Sequence, residues 1–299
     1  MTQVVAAPRK STIVRIFSAP WPVRAAFRML DRAAPGLGAR WAERIWFTLP
    51  RPRPDHRPDD RRGVDLAGEP FTLTVDGHQV AGAVWGSGPA VYLVHGWAGH
   101  RRQFTPFVAP LVAQGFKVVA FDQPSHGDSG PGRHGSRSST AVEFADTLHR
   151  VVAEHGPAWA LVAHSFGAIA AAAALCDGLR AERVVLLAPM ANPQWSLREF
   201  SKALGFGERT LRRLIVRSER RVGAPMRHFD VPELGRAVAM PPTLVIHDRD
   251  DASTPVSDGA AIAAAWPRAR LHVTSGLGHR RLLSDPDVVA EVVDFVSAG

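Results

Sequence analysis

Five short apolar runs, at 90–94, 117–121, 159–163, 183–188 and 243–246, take turns with stretches of helical pattern, and 270–273 continues the strand series. This alternation restricts the fold more than any other feature of the chain. Short apolar runs without a polar partner at every second position read as strands buried on both faces. Interleaved with helices, they imply an α/β architecture, a mostly parallel sheet with helices on both of its faces. Segment 71–85, by contrast, does alternate and contains Asp76-Gly77, a hairpin signal.

The rhythm breaks once, over about 192–240, where roughly fifty residues separate two strands that would ordinarily lie close. Within it, 196–204 and 208–221 have helical patterns, the second strongly basic. An insertion at the C-terminal end of a strand lies over the edge where such sheets bind ligands, so this segment is expected to form a small helical cap. Residues 192–230 carry nine Lys/Arg against four Asp/Glu, with Trp195, Phe200, Leu204, Phe206, Leu211, Leu214 and Ile215 interleaved. Those apolar residues are expected to dock the cap onto the sheet, with some left to line an acyl pocket. The arginines fit either a solvated helix face or recognition of an anionic ester.

Residues 1–62 form a basic extension ahead of a body at 63–299. Thirteen Lys/Arg against five Asp/Glu in 1–62 account for the whole net charge of +8, and the remainder holds 23 of each sign. Over 13–49, apolar residues and arginines recur at helical spacing, broken at Pro20, Pro22 and Pro35-Gly36, and 50–63 reads as a proline-rich linker. The helices have two readings: packing on the body with Trp41, Trp46 and Phe47 buried, or peripheral contact with an anionic membrane surface. Nucleic acid is disfavoured as a partner, since no binding motif accompanies the basic residues.

A hydrophobic content of 45% in 299 residues suffices for a full core. A single cysteine, Cys176, excludes a disulfide framework and an all-cysteine metal site, and is expected as a small buried hydrophobe. No run approaches a membrane span and no export signal is visible, so the expected setting is cytoplasmic. HExxH, GxGxxG after a strand and GxxxxGK[ST] are all missing from the sequence, and neither a metal nor a cofactor is implied.

Chemistry enters at Ala163-His164-Ser165-Phe166-Gly167, where one serine sits on a sharp strand-to-helix turn between small neighbours. A serine hydroxyl is a poor nucleophile alone. It needs a base, an acid to hold that base, and N–H donors for the oxyanion. The run His95-Gly96-Trp97-Ala98-Gly99 also follows a buried strand; it is either a plain turn or the source of one oxyanion donor, the Trp97 N–H, beside the N–H of Phe166.

With these motifs, residues 71–299 resemble the α/β-hydrolase superfamily, in its esterase and lipase-like serine branch. A further family turn, DxPGHGxS, appears as Asp122-Gln123-Pro124-Ser125-His126-Gly127-Asp128-Ser129, with Ser125 where glycine is usual. Asp122 and Ser129 read as braces for it. The resemblance implies an acid in a GxxDxxxP pattern, which falls on Asp251 with Pro255 four residues on. Asp250 stays open as the acid and Asp248 reads as a turn former. It also implies a histidine between the last strand and last helix, where His279 lies in a glycine-bounded loop; His164 and His247 read as structural. Arg280 and Arg281 follow His279, facing either it, solvent or an anionic substrate.

The resemblance thus implies a serine hydrolase with Ser165, Asp251 and His279 as its triad and a small-molecule acyl ester or thioester as substrate. A nucleophilic serine disfavours the dehalogenase and epoxide-hydrolase branches. Two other functions stay open: a small-molecule receptor on the same fold with little turnover, and a membrane-surface protein acting through 1–62.

Overall fold

The apolar runs pair into one sheet of eight strands. In a computed structural model that describes residues 19–50 and 68–298, these are β1 (Glu69–Val75), β2 (His78–Trp85), β3 (Ala90–Val94), β4 (Lys117–Phe121), β5 (Ala158–His164), β6 (Ala181–Leu187), β7 (Thr243–Asp248) and β8 (Ala269–Thr274). Their spatial order is β1-β2-β4-β3-β5-β6-β7-β8. The hairpin strands β1 and β2 are antiparallel to each other and to β4, and all remaining pairs are parallel. Asp76 and Gly77, with φ of 47° and 82°, make the tight hairpin turn whose twist suits the flanking strands.

Side-chain alternation sends the central strands into two cores. Val91, Leu93, Val162, Val185, Leu187, Leu244 and Ile246 pack beneath α3 (Thr105–Ala113) and α11 (Pro286–Ser297). Tyr92, Val94, Leu161, Ala163 and Leu186 face the opposite layer, formed by α4 (Ala141–His155), α5 (Gly167–Cys176), α8 (Val231–Ala237) and α9 (Val256–Ala265). The alanine run makes α5 slender enough to lie buried from Gly167 to Leu175 behind the serine turn. Cys176, at its end, is half-buried rather than buried, its thiol 3.7 Å from the Leu234 carbonyl and pushed up by burial.

Between β6 and β7 stand α6 (Pro193–Leu204), α7 (Glu208–Val222) and α8. Asn192 caps α6 by accepting from the N–H groups of Gln194 and Trp195, and Gly205 and Gly223, with φ near 80°, end α6 and α7. The apolar face of this hairpin is not spread on the sheet, contrary to the expectation above. Leu197, Phe200, Leu204, Phe206, Leu211 and Leu214 close a separate core with Phe27, Ala39 and Ala42 of the N-terminal helices α1 (Trp21–Ala33) and α2 (Pro35–Trp46). Two helices cannot bury their own apolar faces, and the second hairpin supplies the missing half. Gly38 lets α2 cross close to Thr210, Asp31 accepts from the Thr210 N–H at 2.8 Å, and buried Glu43 pairs with Arg217.

Pro22 and Pro35 lie in the first turns of α1 and α2, where proline starts helices instead of breaking them. Phe47 is buried and Trp46 packs on Phe200, but Trp41 stacks on Phe27 with 37% of its surface exposed. The helical pattern before residue 19 and the linker at 50–63, apart from Pro50, lie outside the described residues. Among those described, no helix is long and apolar enough to cross a membrane.

Candidate active site

Only Ser165 and Phe166 connect β5 to α5, and the chain reverses in this space by holding Ser165 at φ 56°, in the left-handed region. The strained backbone is fixed on both sides. Its N–H donates to Leu187 O at 3.0 Å, and its carbonyl accepts from Ala168 and Met190 at 3.0 and 3.2 Å. Small residues are required around it: a Cβ on Gly96 would stand 2.8 Å from the Ser165 Cβ, and one on Gly167 2.6 Å from the Val94 carbonyl.

His279 lies in the short helix α10 (Gly278–Arg281), reached through Gly276 and Gly278 with φ of 81° and 66°. Its Nε2 is 3.0 Å from Ser165 Oγ and its Nδ1 is 2.7 Å from Asp251 Oδ2. Asp251 is buried. Its Oδ1 accepts from the N–H groups of Ser253 and Thr254 at 2.7 and 3.0 Å, and its Oδ2 also accepts from the Thr254 hydroxyl at 3.0 Å. Burial by itself would raise this carboxyl, but hydrogen bonds from His247, His279 and the Ser253 amide hold it well below the usual carboxylate range. An ionised Asp251 fixes the proton on Nδ1 and leaves Nε2 as an acceptor toward the serine.

The neighbouring aspartates do different work. Asp250 accepts from Gly276 N–H at 3.0 Å, and Asp248 accepts from the Thr274 hydroxyl and the Leu277 and Asp250 N–H groups. Both shape the loop that carries His279. His164 Nε2 donates to the His279 carbonyl at 3.0 Å and His247 Nε2 to Thr254 O at 3.1 Å, so both brace the site. Arg281 turns back on the carbonyls of Leu277 and Gly276 and leaves His279 alone.

Neither the Trp97 nor the Phe166 N–H donates to any described residue. Phe166 precedes the first turn of α5, so its N–H is one of the free donors at the positive end of a helix. Gly96, pressed against Ser165, brings the following Trp97 alongside. The turn is held by two histidines that the sequence reading left unassigned. Ala98, at φ 56°, donates to His126 Nε2 at 3.1 Å, while His126 Nδ1 donates to Pro124 O at 2.9 Å. His95 accepts from Gln123 N–H at 2.9 Å and donates to Gly96 O at 2.8 Å. Burial pushes His126 down to about 4 and His95 well below the ordinary value, which keeps both rings neutral and able to accept.

A model of the alpha/beta hydrolase family matches residues 91–292. The chain belongs to this family. A non-heme haloperoxidase of Rhodococcus erythropolis is 25% identical over 282 aligned positions, which cover 77% of this chain and 100% of that protein. Among solved structures, an esterase from Rhodococcus sp. ECU1013 has 20% identity and a TM-score of 0.56, covering 76% of this chain and 98% of its own. The thioesterase domain of the curacin biosynthetic pathway has 18% identity and a TM-score of 0.57, covering 78% and 99%. These structures share the fold.

This alpha/beta hydrolase departs from the family pattern at Ser125, and the structure shows how a side chain is accommodated there. Ser125 takes the left-handed φ of 67° that favours glycine, and its hydroxyl lies 2.8 Å from the carbonyls of both Gly135 and Ser138 while accepting from Gly132 N–H at 2.9 Å. Asp122 accepts from the N–H groups of Arg101 and Asp128 and pairs with the Arg101 guanidinium; Ser129 donates to Asp122 O and accepts from Ala81 N–H. Thr254 is the contact residue that sequence reasoning missed. Its one signal is a hydroxyl three residues after the acid, where the chain must turn back on the carboxylate.

Proposed function

We propose that this alpha/beta hydrolase cleaves a carboxylic ester or thioester through an acyl-enzyme on Ser165. The observation that carries this is the unbroken relay from Ser165 Oγ to His279 Nε2 and from His279 Nδ1 to Asp251 Oδ2, at 3.0 and 2.7 Å.

In the first half-reaction Ser165 Oγ attacks the carbonyl carbon while His279 Nε2 takes its proton. The tetrahedral oxyanion accepts from the Trp97 and Phe166 N–H groups, whose freedom from other partners among the described residues supports this role. Collapse expels an alcohol or thiol, which leaves with the proton from His279. Water, activated by the same imidazole, then attacks the acyl-enzyme and the carboxylic acid departs. Asp251, ionised throughout, stabilises the imidazolium in both halves. Trp97 and Phe166, with rings 5.7 Å apart edge to face, give the site apolar walls suited to an acyl group.

Fold neighbours named esterase and thioesterase make p-nitrophenyl esters and acyl-coenzyme A thioesters the first substrates to try. A fluorophosphonate probe should label Ser165, and Ser165→Ala should lose both the label and at least about a thousandfold in turnover. Turnover retained in that variant would overturn the proposal.

A further inference from the structure

A second concave site lies where α2, the loop at 134–138 and α7 meet. None of the residues assigned to the Ser165 site lines it. Its volume is about 290 Å³, and Arg40, Arg44, Arg137 and Arg221 stand in its wall above Phe47. The carboxylate in the wall, Glu43, is already paired with Arg217. His134 adds no charge at neutral pH, because burial and then the Arg221 charge push its imidazole down.

These cations are incompletely used. Among the described residues Arg40 and Arg44 have no ion-pair partner. Arg137 gives one N–H to Leu49 O, and Arg221 gives one to Ser138 Oγ at 2.9 Å. The Arg221 guanidinium lies 4.9 Å over the Phe47 ring, which fixes its plane, and its Nε is buried with no partner. Four like charges around one small volume repel, and a buried donor without an acceptor costs free energy. A multivalent anion removes both penalties.

We propose that this cleft binds a phosphoryl group. Guanidinium forks match the paired oxygens of a phosphate, and a tetrahedral dianion offers more acceptor oxygens and more charge to several forks than a single carboxylate does. The arginines come from the N-terminal hairpin, the body loop and the cap, so the bound group ties all three together. This inference does not depend on the chemistry assigned to Ser165. The phosphoryl group belongs either to a free phosphate ester or to a lipid headgroup.

Titration calorimetry with inorganic phosphate and sedimentation with phosphatidylglycerol against phosphatidylcholine vesicles separate the two sources. Arg40→Gln/Arg44→Gln removes two exposed, unpaired cations and should fold normally by circular dichroism. Arg212→Gln/Arg213→Gln removes two exposed charges of α7 outside the cleft. Saturable phosphate binding that weakens about tenfold in the first variant and not in the second supports a free ester as ligand. Phosphatidylglycerol binding with the same variant pattern supports a headgroup. No binding in either arm, or equal weakening by both variants, overturns the proposal.

Discussion

The Thr254 hydroxyl lies 3.0 Å from Asp251 Oδ2, on the same carboxylate oxygen that receives the His279 ring at 2.7 Å. Thr254 also gives its backbone N–H to Asp251 Oδ1, so one residue holds both oxygens of the acid. It is a positioning residue: without its hydroxyl, Asp251 can rotate away from the line of the imidazole. Thr254→Val should keep the fold and lower kcat about tenfold with KM little changed. A matching loss in Thr254→Ser would point to packing instead, since serine retains the hydroxyl.

The two candidate acids part cleanly. Asp251→Asn should lower kcat about ten-thousandfold, because the amide no longer fixes the Nδ1 proton on His279. Asp250→Asn should stay within a few-fold of wild type, its partner being the Gly276 amide at 3.0 Å. Steady-state kinetics on one p-nitrophenyl ester decides this, and equal losses in both variants would refute the assignment.

Acid stability follows from the buried histidines. Burial holds His95 well below its ordinary value, His126 at about 4 and His164 at about 3, while unfolding returns each to about 6.5. Below pH 6.5 the unfolded chain binds protons that the folded chain refuses, so stability is full above that pH and falls as pH falls toward 4. Asp258 runs the other way. Burial pushes it up to about 6, so its contribution is present at low pH and is lost as pH rises through that value. The three buried histidines outweigh this one carboxyl, so unfolding takes up protons near pH 5 and stability falls with pH there. Urea midpoints at pH 7, 6 and 5 should fall in order, and a flat series would contradict the neutral assignments.

The cap should depend on the N-terminal hairpin. Phe27 is fully buried between Trp41 and Phe206, with ring centroids at 4.4 and 5.4 Å. Phe27→Ala should cost about 3 to 5 kcal/mol locally. Hydrogen exchange is expected to quicken in α6 and α7 while the β3 to β7 amides stay protected. Uniform loss of protection would mean that the hairpin and cap are not a separate cooperative unit.

The sheet was legible because buried parallel strands write continuous apolar runs, and the serine turn because only small residues flank so tight a reversal. His279 could be singled out from thirteen histidines by its glycine-bounded loop. The sequence pattern favoured Asp251 and left Asp250 open, since adjacent aspartates differ in how the turn aims them, and the structure sets Asp251 against His279 and Asp250 against the Gly276 amide. The mutual packing of α1, α2, α6 and α7 was hidden for another reason. A helix shows in its periodicity which face it buries but not against what, and Phe27 meets Phe206, far along the chain. The cap arginines were ambiguous likewise: Arg217 answers Glu43, whereas Arg221 turns to Ser138 and Phe47.

The core shared by Phe27 and Leu214 has a consequence for biosynthesis. Residues 21–46 leave the ribosome long before 193–222, and at roughly 5 to 20 residues per second the interval is about ten to thirty seconds. Through that time the N-terminal hairpin has no partner for its apolar side. Nascent chains therefore offer a binding surface to holdase chaperones until α7 is made, and a translational stall before the cap would leave that surface open to aggregation.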